Sequence, residues 1–304
     1  MIADSIPNHQ DQYIIRTKRN IKMNRRKKAI SIVSVILIVF LSFFSYIKIS
    51  DNYRTVRLPE EIVLIPLEFT NIFLIPLKEG YMLFDNGYEK EYDYFLNKLK
   101  RNNIDVMDIR YVMISHHHDD HVGFLNRLTA LNPSLKVILH EKSVPLLAAG
   151  KNNQKNGGGI VNSRIYALFR LKQLITPGWD FSFPPYSVRD TDIILRGESA
   201  ELPEEVGLKS KVVYTPGHSS DSISLVYKDE YIFAGDMASN FLNLAGAKHL
   251  TLFNEDVGVV YSLWEKVLSM NIRYIIPAHG RPFGAERLKE NLHKYSQKDL
   301  VVYF

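Results

Sequence analysis

The chain has 304 residues, 46% of them hydrophobic and 23% charged, which is the composition of a globular protein with one large domain or two modest ones. It has no cysteine, so disulfides, thiolate metal sites and a thiol nucleophile are all excluded. Its formal charge of +5 is concentrated in residues 1–28, where eight Lys or Arg oppose Asp4 and Asp11; the rest of the chain sums to about neutral and gives no reason to expect a nucleic-acid partner.

Directly after this basic tail, residues 29–47 read AISIVSVILIVFLSFFSYI, without a single charge. At about 1.5 Å per residue such a helix crosses the roughly 30 Å of a bilayer core. The positive-inside rule keeps 1–28 in the cytoplasm and sends the remainder out. A cleavable signal peptide is the alternative, but its apolar stretch is shorter, about 7–15 residues, and ends in a small-x-small site. Here Phe43, Phe44, Tyr46 and Ile47 crowd those positions. A buried soluble helix fits less well, because no polar face alternates with the apolar one. The expectation is a single-pass anchor with an extracytoplasmic body.

A polar linker, 48–59, leads into short apolar runs at 61–69, 71–77 and 81–84, bounded by Thr70, Gly80 and Gly87, which predict a meander of strands. Strands and helices then alternate: helix over 90–101, strand 111–115, helix 122–131, strand 136–140. A second set places strands at 211–215, 223–227 and 231–234, a helix over 256–270 and a strand at 272–276. Strands first, then strand and helix in alternation, twice over, imply sheets covered by helices.

Between the two sets, 150–196 differs. It opens on KNNQKNGGG, holds a predicted helix at 162–174, and scatters Trp179, Phe181, Phe183 and Tyr186 among prolines. Too irregular for a sheet yet rich in aromatics, it reads as a lid or substrate wall, with Trp179 and Phe181 as candidate contacts; a packed surface excursion is the plainer alternative.

The strongest chemical pattern is Ser115-His116-His117-His118-Asp119-Asp120-His121, at the end of a predicted strand. In extended backbone His116 and His118 project to one side, and imidazole with carboxylate is what Zn²⁺ takes where thiolate is absent. Later strand ends add His218 in TPGH, Asp236 in AGD and His279 in PAHG, each beside a glycine that lets the chain turn. Singly each is weak, since a lone His after a strand is more often a core or surface residue. Jointly and in this order they point to a metal site.

This set resembles the metallo-β-lactamase superfamily, whose His-x-His-x-Asp-His motif stands here as His116, His118, Asp120 and His121. The resemblance implies an αββα sandwich over 60–304 with two zinc ions, which iron or manganese can replace. It implies His116, His118 and His218 at one ion, Asp120, His121 and His279 at the other, and Asp236 between them. Asp85, in FDNG, matches the family's early Asp, which steadies the motif loop. His117 and Asp119 fill variable positions and receive no role.

Two zinc ions sharing a water would lower its pKa toward about 7 and supply a bridging hydroxide as nucleophile. Asp120, ligand and neighbour of that oxygen, is the candidate for proton transfer to the leaving group. Fold does not set the substrate. β-Lactamase branches use a Cys ligand or Ser where Asp236 stands; hydroxyacylglutathione hydrolases carry a further helical domain, whereas little chain follows His279. A small carboxylic ester or lactone is the first expectation, a phosphodiester of an envelope component the second, and a metal-dependent binding protein the third. No oligomeric state follows from the sequence.

The charge asymmetry makes topology testable. Protease added to intact cells should remove a tag placed after Phe304 and spare one placed before Met1; the opposite pattern would refute the orientation.

Overall fold

The computed structural model describes residues 58–153, 158–175 and 180–302. The basic tail 1–28, the apolar run 29–47, the linker up to residue 57 and Trp179 lie outside the described residues. Among the described residues no helix is long and apolar enough to cross a membrane.

The chain opens with β1 (Val63–Pro66), β2 (Asn71–Pro76) and β3 (Tyr81–Phe84), paired antiparallel in sequence. Helix α1 (Tyr92–Arg101) carries it back so that β4 (Ile109–Met113) runs parallel to β3. Two short helices, α2 (Asp119–Val122) and α3 (Leu125–Leu131), precede β5 (Lys136–His140), parallel to β4. Then come α4 (Ser143–Ala149), β6 (Gly159–Ile160), α5 (Ser163–Ile175) and β7 (Ile193–Leu195), which closes the first sheet in the order β1-β2-β3-β4-β5-β7.

The second half supplies β8 (Ser199–Glu201), β9 (Lys211–Tyr214), β10 (Ile223–Tyr227), β11 (Tyr231–Gly235), β12 (Phe253–Asn254), helix α6 (Val257–Ser269), β13 (Tyr274–Pro277), β14 (Phe283–Gly284) and α7 (Glu286–Asn291). Its sheet runs β14-β13-β11-β10-β9-β8, and β6 pairs with β12 in a separate ribbon.

Strict alternation explains the layering. In β2, Ile72 and Leu74 join the core under the helices, while Phe73 and Ile75 join the core between the sheets; in β5, Val137 and Leu139 face one way and Ile138 the other. Strands apolar on both faces must be covered on both. The helical side is filled by Phe95, Leu99, Phe124 and Leu128. Between the sheets, Phe233 meets Phe73 edge-on at 5.2 Å and Phe84 at 5.5 Å. On the far side α6 buries Val260, Leu263, Trp264 and Val267, and the Trp264 indole donates to the Met237 carbonyl at 2.9 Å. The result is an α/β sandwich with helices outside two sheets.

Three departures from expectation have physical reasons. The helix expected over 122–131 breaks at Gly123, where the backbone passes so close to Glu89 that a Cβ would lie 2.4 Å from its nitrogen. The first strand shortens to Val63–Pro66, because Leu67 and Thr70 close a turn through a 2.9 Å backbone bond. Helix α4 was not expected across Pro145, yet Pro145 falls in the first turn, where an N–H would have no helical acceptor.

The two sheets are in direct contact where the first leads into the His-rich loop. The Ile223 N–H donates to the Ser115 carbonyl at 2.8 Å, and Gly235, at φ +50°, lies where a Cβ would stand 2.7 Å from that of Ser115. Gly235→Ala should therefore force the sheets apart at a cost of about 1–3 kcal/mol, which lowers Tm by roughly 2–4 °C per kcal/mol. An unchanged thermal transition would show that the approach is not constrained.

Candidate metal centre

Each candidate ligand follows a strand whose direction sends it to one end of the sandwich. β3 and β4 are parallel, so Asp85 and the His116–His121 loop leave the first sheet at the same end. β9 and β11 both run antiparallel to β10, and β13 runs parallel to β11, so His218, Asp236 and His279 leave the second sheet together. Gly217, at φ +120°, lets the chain turn against α6, where a Cβ would sit 2.7 Å from a Val260 methyl.

The side chains converge in overlapping trios: His116, His118 and His218; His116, His121 and Asp236; and Asp120, His121 and His279. Within each, the potential ligand atoms all lie within 4.8 Å of one another. His218 Nε2 stands 3.1 Å from His116 Nε2 and 2.9 Å from His118 Nδ1. The Asp236 carboxylate lies between the two halves, with Oδ2 3.3 Å from His218 Nε2 and Oδ1 3.2 Å from His279 Nε2 and 3.6 Å from His121 Nε2.

Outward-facing nitrogens are tied down, which fixes the inward ones. His218 Nδ1 donates to the Phe253 carbonyl at 2.8 Å, and His279 Nδ1 to that of Phe69 at 2.9 Å. Asp85, itself at φ +60°, accepts from the Ser115 N–H at 2.7 Å, the Ser115 hydroxyl at 2.8 Å and His121 Nδ1 at 2.9 Å. The Ser115 oxygen in turn lies 3.0 Å from His116 Nδ1. Such partners orient ligand imidazoles and raise their basicity.

The donor set fits a divalent cation on its own terms. Nitrogen lone pairs face one another without enough protons to bond them, and the buried atoms His121 Nε2 and Asp236 Oδ1 have no hydrogen-bond partner. Imidazole nitrogen with carboxylate oxygen is a ligand set for zinc and related ions.

Electrostatics divides the cluster. Burial, then the neighbouring imidazoles, hold His116 and His118 well below the usual histidine range. Burial also lowers His218, against the attraction of Asp236. Burial would lower His121 and His279 too, but Asp120, Asp85 and Asp236 push His121 up to about 10, and Asp236 and Asp120 push His279 up to about 9. In the cation-free chain, protons on these two imidazoles balance the carboxylates.

Two residues given no role by the sequence prove to be structural anchors. His117 is fully buried; its Nδ1 donates to Asp221 at 2.9 Å, and its Nε2 accepts from the Asn153 N–H at 2.9 Å. Asp221 is further held by the Ser143 and Ser219 hydroxyls at 2.8 and 2.9 Å. The Asp119 N–H donates to Asn152 Oδ1 and the Asn152 amide returns a bond to Asp119, both at 2.8 Å. Alternation in extended backbone, which aims His116 and His118 one way, aims His117 the other way; that was the available clue. Thr70, whose hydroxyl donates to Asp120 at 2.9 Å, left none.

Within the insert, Phe181 stacks on Phe169 of α5, with centroids 6.1 Å apart. The same helix extends Lys172 over Phe69, with Nζ 3.8 Å from the ring centroid. Since Phe69 supports His279 and adjoins Thr70, α5 lies against the Asp120–His279 side of the cluster.

Comparison with known proteins agrees with this geometry. The family model described as the metallo-beta-lactamase superfamily matches residues 65–279. The acyl-coenzyme A thioesterase MBLAC2 of Homo sapiens is 28% identical over 186 residues, 60% of this chain and 61% of that protein. The lactamase-like protein aptB of Emericella nidulans is 25% identical over 175 residues, covering 57% of this chain and 39% of the relative. The chain thus spans about three fifths or less of the length of these curated relatives. Among solved structures, a metallo-beta-lactamase superfamily protein from Sulfolobus tokodaii aligns with TM-score 0.51 at 17% identity, covering 77% of this chain and 86% of that one, a likeness of fold alone.

The split in proton affinity predicts unequal metal uptake. A cation entering the Asp120, His121 and His279 trio must displace protons from two imidazoles whose pKa values stand near 10 and 9. Between pH 6 and 8 its affinity should rise with pH, by up to about a hundredfold per unit when two protons leave together. The trio of His116, His118 and His218, already neutral, should take its cation with little pH dependence. Chelator competition and pH-stat titration would read both; equal proton release at the two steps would contradict the assignment.

Proposed function

Because the chain belongs to the metallo-β-lactamase superfamily, we propose that it is a metal-dependent hydrolase of small acyl compounds, carried outside the membrane by an anchor at 29–47. A carboxylic ester or lactone is the substrate class, and acyl thioesters share its chemistry. The observation that carries this reading is the convergence of five imidazoles and two carboxylates in two halves, with Asp236 between them. The partial likeness to a human acyl-coenzyme A thioesterase supports the acyl class over the phosphoryl one.

His116, His118, His218 and Asp236 would hold one divalent cation, and Asp120, His121, His279 and Asp236 a second. Zinc at these positions supplies a Lewis acid and a water made acidic enough to ionise near neutral pH. The chain's own residues do the rest. His116 and His121 are fully buried and His218 nearly so, forming a closed floor. The Asp120 and His279 side chains, at 14% and 16% exposure, form the open side where a substrate can enter. Asp120 is therefore the carboxylate placed to take a proton and return it to the leaving oxygen or sulfur. The Thr70 hydroxyl, donating to one Asp120 oxygen, orients the other toward the cluster. Helix α5 places Lys172 over Phe69 beside this open side.

The test is a turnover screen of the zinc-loaded full chain against lactones, esters, acyl thioesters, β-lactams and phosphodiesters. One acyl class should dominate. Asp120→Asn should lower kcat by about 10²–10⁴-fold, the usual range for loss of a proton-transfer group. Asp236→Ala should reduce the cation content of both halves. Turnover of phosphodiesters alone would replace the acyl reading, and full metal content with no turnover would leave a binding protein.

A further inference from the structure

Helix α5 buries Ile165 and Phe169, four residues apart and so on one face. The next position on that stripe is Lys172, partly buried where an apolar side chain would continue the pattern. Taking an ammonium out of water is unfavourable without compensation. Part of the compensation is aromatic: Nζ lies 3.8 Å from the Phe69 centroid and 5.9 Å from that of Tyr88. Burial lowers the lysine's proton affinity, while the charges of Asp120, Glu68 and Asp119 draw it back up. Burial and the same Asp120 and Asp119 charges push the Tyr88 phenol well above its ordinary range, so it stays an O–H donor.

This ammonium belongs to the open side of the cluster. Phe69, beneath it, accepts from His279 Nδ1 at 2.9 Å, and the next residue, Thr70, donates to Asp120 at 2.9 Å. Cation loading alters the charge balance there. Two divalent ions would carry twice the charge that Asp120 and Asp236 can offset, so the pull of Asp120 on Lys172 would be spent on them while Glu68 and Asp119 stay in place, and the cluster beside the lysine would turn net positive. An anion is what such a field selects.

We propose that Lys172 is a specificity-determining residue that receives an anionic substituent, a carboxylate or phosphate, of the acyl substrate, with Phe69 and Tyr88 as the flanking aromatic wall. The assignment rests on the hydrolase reading above. It requires no group in the chain to change oxidation or bonding state; the ammonium donates hydrogen bonds to the anion while the acyl group faces Asp120.

The experiment uses the zinc-loaded full chain, with Lys172→Met, which suits the apolar stripe and preserves folding, and Lys172→Arg, which restores the charge. Three substrates share an acyl thioester: S-butyryl-N-acetylcysteamine is neutral, S-succinyl-N-acetylcysteamine adds a carboxylate, and butyryl-coenzyme A adds phosphates. In Lys172→Met the ratio of kcat/KM for the preferred anionic substrate to that for the neutral one should fall about tenfold to a hundredfold, mainly through KM. Lys172→Arg should recover most of it. The anion whose advantage disappears identifies carboxylate or phosphate. An unchanged ratio overturns the proposal.

Calorimetric binding of succinate and of inorganic phosphate gives a readout that needs no turnover. At least one should bind several-fold more weakly to Lys172→Met than to the native chain; equal affinities for both overturn the proposal. If none of the thioesters is turned over yet anion binding weakens in the variant, the anion site stands and the thioester reading falls. If turnover proceeds with the ratio and the affinities unchanged, hydrolysis stands and Lys172 does not recognise the substrate.

Discussion

Seven side chains that could ligate a metal crowd into a space where their own polarity works against them. His218 brings its Nε2 to 3.1 Å from His116 Nε2 and 2.9 Å from His118 Nδ1, and Asp236 adds a buried carboxylate whose neighbours are imidazole nitrogens. Such an arrangement is tolerable only around positive charge. Without a cation, protons on His121 and His279 provide it on one side, and burial leaves the other side neutral. The cluster is therefore an electrostatic structure that divalent charge would complete.

Holding that arrangement falls to a ring of outer partners. Asp85 sustains a left-handed backbone conformation that costs about 1–3 kcal/mol at a non-glycine residue. In return its carboxylate receives three hydrogen bonds that fix Ser115 and His121 together. Thr251 lies 2.9 Å from His218 Nδ1, and the Phe253 and Phe69 carbonyls complete the supports of the second sheet's histidines. Since these supports come from both sheets, the contact of Gly235 with Ser115 sets the distance across which the two ligand groups face each other.

Much of this was legible from the residues and some was not, for reasons that can be named. The strands Tyr81–Phe84, Lys136–His140 and Ile223–Tyr227 fall where their apolar runs ended, because turn residues bound them on both sides. Strands β8 and β14 carry no pattern of their own: Ser-Ala-Glu becomes a strand through its pairing with Val212 and Val213, and Phe-Gly through Tyr274 and Ile275. Tertiary pairing overrides weak local preference there. The side chains that converge in the cluster were readable because ligation would demand particular residue types at strand ends. Their supports were not, because a backbone carbonyl or a threonine hydroxyl is chemically ordinary and acquires its role only by position. Trp179, read from sequence as a wall contact, lies outside the described residues, and Phe181 stacks on Phe169 within the insert.

The first residues of the insert are tied to the His-rich loop, and this gives the motif's intervening polar residues a role. His116, His118, Asp120 and His121 face the cluster, whereas His117 and Asp119 grip Asn153 and Asn152 at the root of the insert. Ser143, at the start of α4, is joined to the same network through Asp221. Any movement of the loop is thus transmitted to Asn152 and Asn153. Helix α5 is anchored at its start by Asn162, whose amide donates to the Ala245 and Gly246 carbonyls in the second half of the chain. Fixed at its start, the helix carries Lys172 over the Phe69 ring. The geometry of the His-rich loop and the start of the insert are consequently determined together, so a substitution at position 117 or 119 would be felt at Asn153 or Asn152 as well as in the loop.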